Sequence, residues 1–119
     1  DTIGILPGGD ADGANRFVDV VLPTSLGHAR NSVVAQCDAM VAIGGGAGTL
    51  SEMCFAWIHN RLIVGVDVDG WSGRLAGERV DGRARFPHID DDRVWAAASA
   101  ADVLSILETQ LPRYRTGRG

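Results

Sequence analysis

The residues best suited to chemistry lie between Gly44 and Glu52, in the run Gly44-Gly45-Gly46-Ala47-Gly48-Thr49-Leu50-Ser51-Glu52. A second candidate, Arg30, stands upstream with Asn31 beside it. Glycines let a backbone approach a ligand closely and adopt positive φ, while Thr49 and Ser51 add hydroxyl groups. Glu52 would bring a carboxylate beside whatever the glycines hold. A carboxylate is a poor partner for phosphate alone, but it suits a neighbouring sugar hydroxyl or a water.

The elements around this run give it a place. Ala39-Met40-Val41-Ala42-Ile43 is a continuous apolar pentapeptide that reads as a strand buried on both faces. Leu50, Met53, Cys54, Trp57 and Ile58 recur at helical spacing after it. The glycines therefore join a strand to the N-terminus of a helix. The first turn of a helix has backbone N–H groups without intrahelical acceptors, and the helix dipole adds partial positive charge there. An anion fits that position, most often a phosphate.

Two nucleotide-binding patterns fit poorly. The phosphate-loop pattern fails because no lysine follows the glycines. The dinucleotide fingerprint is half met by Gly44-x-Gly46-x-x-Thr49, with Asp67 placed to meet a ribose after the next strand.

Gly45-Gly46-Ala47-Gly48-Thr49-Leu50-Ser51-Glu52 resembles the P-G-G-x-G-T-x-x-E signature of the LOG family, once described as lysine decarboxylases. Gly44 stands where most LOG enzymes have proline. That variant is similar to the branch containing the molybdenum-cofactor carrier proteins. The resemblance covers roughly residues 2–66. It implies a three-layer α/β, Rossmann-like fold with a mostly parallel sheet, here lacking its first strand–helix unit.

The resemblance also implies a site. Gly44, Gly45, Gly46, Ala47, Gly48 and Thr49 would bind phosphate, and Arg30 and Glu52 would be catalytic. Asn31, in place of the usual lysine, and Asp67 are further ligand-binding candidates. Two functions follow: a carrier of molybdenum cofactor or a nucleotide, and hydrolysis of a nucleoside 5′-monophosphate to free base and ribose 5-phosphate. Neither implies a required cofactor or a metal. A homodimer or larger oligomer is implied as well, and Met53, Phe55, Trp57 and Ile58 give the central helix more apolar surface than one sheet face can bury.

Composition sets the frame. The 119 residues, 45% hydrophobic and 22% charged, describe one globular domain over residues 1–112, expected to be incomplete at its N-terminus. A net charge of −4 disfavours a nucleic-acid partner, since neutralising phosphates needs a basic face. No apolar run reaches the roughly 18 residues of a membrane span, and no signal peptide is visible, so a cytoplasmic location is expected. Cys37 and Cys54 lack C-x-x-C spacing and read as buried reduced thiols. His28, His59 and His88 share no metal-ligand spacing.

Along the rest of the chain, strands are expected at Thr2–Leu6, Phe17–Leu22, Leu62–Val66 and Val94–Ala97, the last at an edge. A helix capped by Thr24 or Ser25 is expected over Leu26–Cys37, and one capped by Ser99 runs to Gln110 with Pro112 stopping it. Residues 71–85 read as a mobile loop or lid, Asp90-Asp91-Asp92 as a solvated turn, and 113–119 as a basic disordered tail.

Overall fold

The computed structural model describes residues 1–116. Five strands form: β1 (Ile3–Leu6), β2 (Val20–Pro23), β3 (Ala39–Ile43), β4 (Leu62–Val66) and β5 (Trp95–Ala97). Helices α1 (Arg30–Val34), α2 (Ala47–Ile58), α3 (Trp71–Leu75) and α4 (Ala100–Arg115) alternate with them. All strand pairs are parallel. β1 pairs with β2, and β4 lies between β3 and β5, with Val41 opposite Val64 and Val64 opposite Trp95. Parallel neighbours need crossover connections, and α2 supplies the one from β3 to β4.

Alternation along β4 divides the core into two layers. Ile63 joins Met40, Ala42, Met53, Ala56, Trp57, Ala35 and Val94 on the α2 side. Leu62 packs with Phe86, Ile89 and Tyr114 on the α4 side, with Leu107 and Leu111 of α4 against them. The α/β layering expected from sequence is thus present, with parallel strands between helices.

β3 departs from the expectation of burial on both faces. Met40 and Ala42 are buried, but Val41 is 39% and Ile43 71% exposed. The reason is reach: α4 leaves a groove along β3, lined by Val41, Ile43, Val66, Val103 and Leu104.

The helix expected over Leu26–Cys37 is shorter. Ser25 and Gly27 both take positive φ, so the segment makes a single 3-10 turn at Gly27–Ala29 before α1 begins. Thr24 does not cap α1; its hydroxyl donates to Leu6 O (2.6 Å) and accepts from Leu26 N–H (3.2 Å).

Residues 71–85 are anchored rather than loose. They open with α3, and their arginines then serve the C-terminal end of α2. Arg83 Nη2 donates to Trp57 O (2.8 Å), and Arg85 Nη1 donates to the same carbonyl (3.1 Å) and to Arg61 O (3.1 Å). Trp57 O, which also accepts from Asn60 N–H (3.1 Å), lies in the last turn of α2, where the negative end of the dipole favours cations. The Arg85 guanidinium also lies 3.7 Å from the Trp57 ring centroid.

Two further expectations change at the C-terminal end. Asp92 is buried, not solvated, and pairs with Arg85 through two bonds of 2.8 Å. α4 passes through Pro112 to Arg115, so residues 113–115 are helical. Proline within the helix removes one ladder bond, and the last turn is held from outside instead: Tyr114 is fully buried, donates to Asp92 Oδ1 (2.5 Å) and accepts from Trp95 Nε1 (3.0 Å). Residues 117–119 of the expected tail lie outside the described residues. Among the described residues no helix is long and apolar enough to cross a membrane.

Candidate functional site

The site begins where β3 ends. Gly44 (φ +65°) and Gly45 (φ +89°) turn the chain, Gly46 takes the N-cap position, and α2 starts at Ala47. Both turning residues sit where side chains carry a steric cost, and a Cβ on Gly45 would collide with the Thr49 side chain.

α3 staples this turn in place. Ser72 Oγ accepts from Gly44 N–H (2.6 Å) and donates to Val66 O (2.7 Å). Ser72 N–H donates to Gly44 O (3.1 Å), and Trp71 N–H donates to Gly45 O (2.9 Å). Gly44 therefore holds the turn, its N–H already engaged. Ser72 was missed from sequence because α3 is only one short turn with Gly73 inside it, which leaves no apolar periodicity to read.

The open backbone donors fall one step later. Leu50 N–H donates to Gly46 O (3.0 Å), the first bond of the helix, so Ala47, Gly48 and Thr49 have N–H groups with no carbonyl behind them within α2. No side chain caps this end. Gly48 is helical rather than left-handed, and a Cβ built on it meets nothing within 4 Å. Its role is to leave space.

That space is a cavity of about 230 Å³ lined by His28, Asn31, Ala47, Gly48 and Ser51. Asn31 is 2% exposed. Its Nδ2 donates to Ser51 Oγ (2.7 Å), which in turn donates to Gly48 O (2.7 Å). His28 gave no signal in the sequence because its lining position depends on the 3-10 turn that precedes α1.

Arg30 and Glu52, expected from the resemblance to be catalytic, form an ion pair. Arg30 Nη1 lies 3.2 Å from Glu52 Oε1, with side chains 28% and 21% exposed. Arg30 Nε is buried and has no hydrogen-bond partner. The ion pair follows Ser51 along α2, but neither Arg30 nor Glu52 lines the cavity at the start of the helix.

Asp67 is not part of this cavity. It is exposed past the end of β4 and lines a separate polar depression with Asp69, Gly70 and Arg74. Among the described residues, no group of three or more His, Cys, Asp or Glu side chains is placed to hold a metal ion. Cys37 and Cys54 are unbridged. Burial, and then the charge of Asp81, push the Cys54 thiol above its ordinary pKa, which keeps it a poor nucleophile.

Comparison with known proteins agrees with this architecture. A molybdenum cofactor binding protein from the phototrophic bacterium Rippkaea orientalis has a solved structure that aligns at TM-score 0.71 and 29% identity, over 91% of this chain and 61% of that one. The X-ray structure of the structural-genomics target TM1055 aligns at TM-score 0.72 and 26% identity, over 89% and 62% of the two chains. An uncharacterised protein of Archaeoglobus fulgidus is 42% identical over 55 residues, 45% of this chain and 36% of that protein. The chain thus spans about three fifths of the two solved chains and about a third of the archaeal protein. The SLOG cluster4 family model matches residues 1–102, and the chain belongs to that family.

Proposed function

We propose that this chain binds a phosphorylated, nucleotide-like small molecule with its phosphate on the N–H groups of Ala47, Gly48 and Thr49. The observation that carries the reading is the uncapped N-terminus of α2 opening onto the cavity of His28, Asn31 and Ser51. A helix start with free donors and no competing side chain favours an anion through both hydrogen bonds and dipole. A carrier role is the first choice. It is supported by the likeness to a molybdenum cofactor binding protein and by Gly44 in the position where proline marks the enzymes.

Such a cofactor, a phosphorylated pterin, suits the residues present at its phosphate end, where Ala47, Gly48 and Thr49 would hold it. Calorimetric titration with nucleoside monophosphates and the phosphorylated pterin tests the reading. Binding of one of them, competed by inorganic phosphate, is expected; silence across the panel overturns it.

A second reading rests on the Arg30–Glu52 pair. A carboxylate beside a phosphate cradle is the arrangement that would orient a ribose or activate water as an N-glycosidic bond breaks, with Arg30 stabilising negative charge on the substrate. Release of free base on long incubation with monophosphates separates hydrolase from carrier.

The ligand-binding unit is proposed to be a homodimer. Met53 and Trp57, expected as surplus apolar surface, are core residues. The remaining face of α2, with Leu50, Cys54, Phe55 and Ile58, forms an open apolar groove next to Ala47 and Ser51. Ile58 is 56% exposed there. Light scattering at micromolar concentration should give twice the chain mass; a monomer overturns the proposal.

A further inference from the structure

We infer that Asn31 and Ser51 are positioning residues that act on a bound anion from behind, through the peptide group that joins Gly48 to Thr49. The inference rests on the phosphate site proposed above and assigns the side chains that set the strength of one of its donors.

The direction of the hydrogen-bond chain follows from its end. Gly48 O can only accept, so the Ser51 hydroxyl proton is committed to it (2.7 Å). The Ser51 oxygen is then the acceptor for the Asn31 NH₂, with Nδ2 at 2.7 Å. Asn31 is buried, which keeps water from competing for this bond. Asn31 Nδ2, Ser51 Oγ and Gly48 O thus form one line of bonds running from α1 into the first turn of α2. Asn31, a ligand-binding candidate by resemblance, acts through Ser51.

The line continues past the carbonyl. Gly48 C=O and Thr49 N–H belong to one planar peptide group and point in opposite directions. A donor on the carbonyl fixes that plane and polarises the group, so the N–H on its far side becomes a stronger donor. Thr49 N–H is one of the three at the start of α2 with no carbonyl behind it in the helix. From Asn31 to the anion every donor points the same way, the arrangement in which successive hydrogen bonds strengthen one another. The Ala47 N–H is the internal control: its peptide group carries Gly46 O, which takes the first helical bond from Leu50 N–H rather than a bond from Ser51.

The test is a titration of the whole chain with inorganic phosphate at fixed pH, followed by proton–nitrogen NMR. In wild type the amide protons of Ala47, Gly48 and Thr49 should move downfield. Ser51→Ala, a loss of one oxygen at a half-buried position, should shrink the Thr49 shift, leave that of Ala47 in place and weaken phosphate binding about threefold. Ser51→Thr, which keeps the hydroxyl, should restore both. Asn31→Ala should have a smaller effect of the same kind and none in a Ser51→Ala background. Equal loss at all three amides in Ser51→Ala would reveal a loosened helix, and an unchanged Thr49 shift would reveal no influence; either overturns the inference and leaves the phosphate site standing. Should no amide of the three move in wild type, the phosphate-site reading fails and this inference with it. If Asn31→Ala does not fold, wild type, Ser51→Ala and Ser51→Thr decide the matter among themselves.

Discussion

Arg30 and Glu52 are 22 residues apart in the chain and 3.2 Å apart in space, joined by an ion pair between the first residue of α1 and the second turn of α2. β3 and the glycine turn create this meeting by returning the chain to the start of α1. The pair constrains what each partner can do. Glu52 shares its carboxylate with a guanidinium, and Arg30 has less charge to offer a phosphate while Glu52 is ionised.

The first prediction follows from that sharing. In the hydrolase reading, Glu52→Gln should lower base release by roughly 100-fold or more, the scale of lost acid–base assistance. Ground-state affinity for the monophosphate should hold or rise, because Arg30 is released toward the anion. Arg30→Ala should weaken binding by about tenfold, removing a charge-assisted bond and leaving an uncompensated carboxylate nearby. Calorimetry and chromatography of released base measure the two quantities; a Glu52→Gln protein that binds more weakly than Arg30→Ala would contradict the geometry.

Gly48→Val probes the cradle itself. Nothing lies within 4 Å of a Cβ at this position and its φ is ordinary, so the protein should fold. The valine would stand in the ligand cavity and cut nucleotide affinity by at least about tenfold. Unaltered affinity in a folded variant would remove phosphate from this end of α2.

Ser72→Ala tests the staple. The hydroxyl is buried and bridges Gly44 N–H and Val66 O, so its loss leaves a donor and an acceptor unpaired. A destabilisation of about 1–3 kcal/mol is expected in denaturant titration. Nucleotide affinity should fall as well, because the turn preceding the cradle is no longer held to α3. A fall in stability with affinity untouched would show that the staple serves packing only.

Tyr114 gives a prediction at alkaline pH. Burial, and then the hydrogen bond to Asp92, push its phenol well above the ordinary value of about 10. A pKa raised on folding contributes stability that is complete below the unfolded value and is lost as pH rises through the folded one. Stability should therefore decline from about pH 10 upward in wild type and less steeply in Tyr114→Phe. The chain has a single tyrosine, so tyrosinate absorbance reports this residue alone. Ionisation at an ordinary pH with no loss of stability would contradict the buried contact to Asp92.

The sequence by itself determined the strand–turn–helix around Gly44 to Glu52, because apolar runs and glycines act locally. Ala39–Ile43 and Leu62–Val66 were legible as strands at their exact bounds, since a bare apolar run between polar residues has few alternatives. Arg30, Asn31 and Glu52 were nameable only through a motif resemblance; nothing in their spacing says that they meet. Tertiary structure decided which backbone donors remain open, since Gly44 N–H is spent on Ser72, a residue 28 positions away. It also decided that Asp92 is buried and that α4 runs through Pro112. Both outcomes depend on Arg85, Trp95 and Tyr114 converging from separate segments. Local propensity reports the cost of a proline or an acid run. Only the assembled fold supplies the partners that outweigh it.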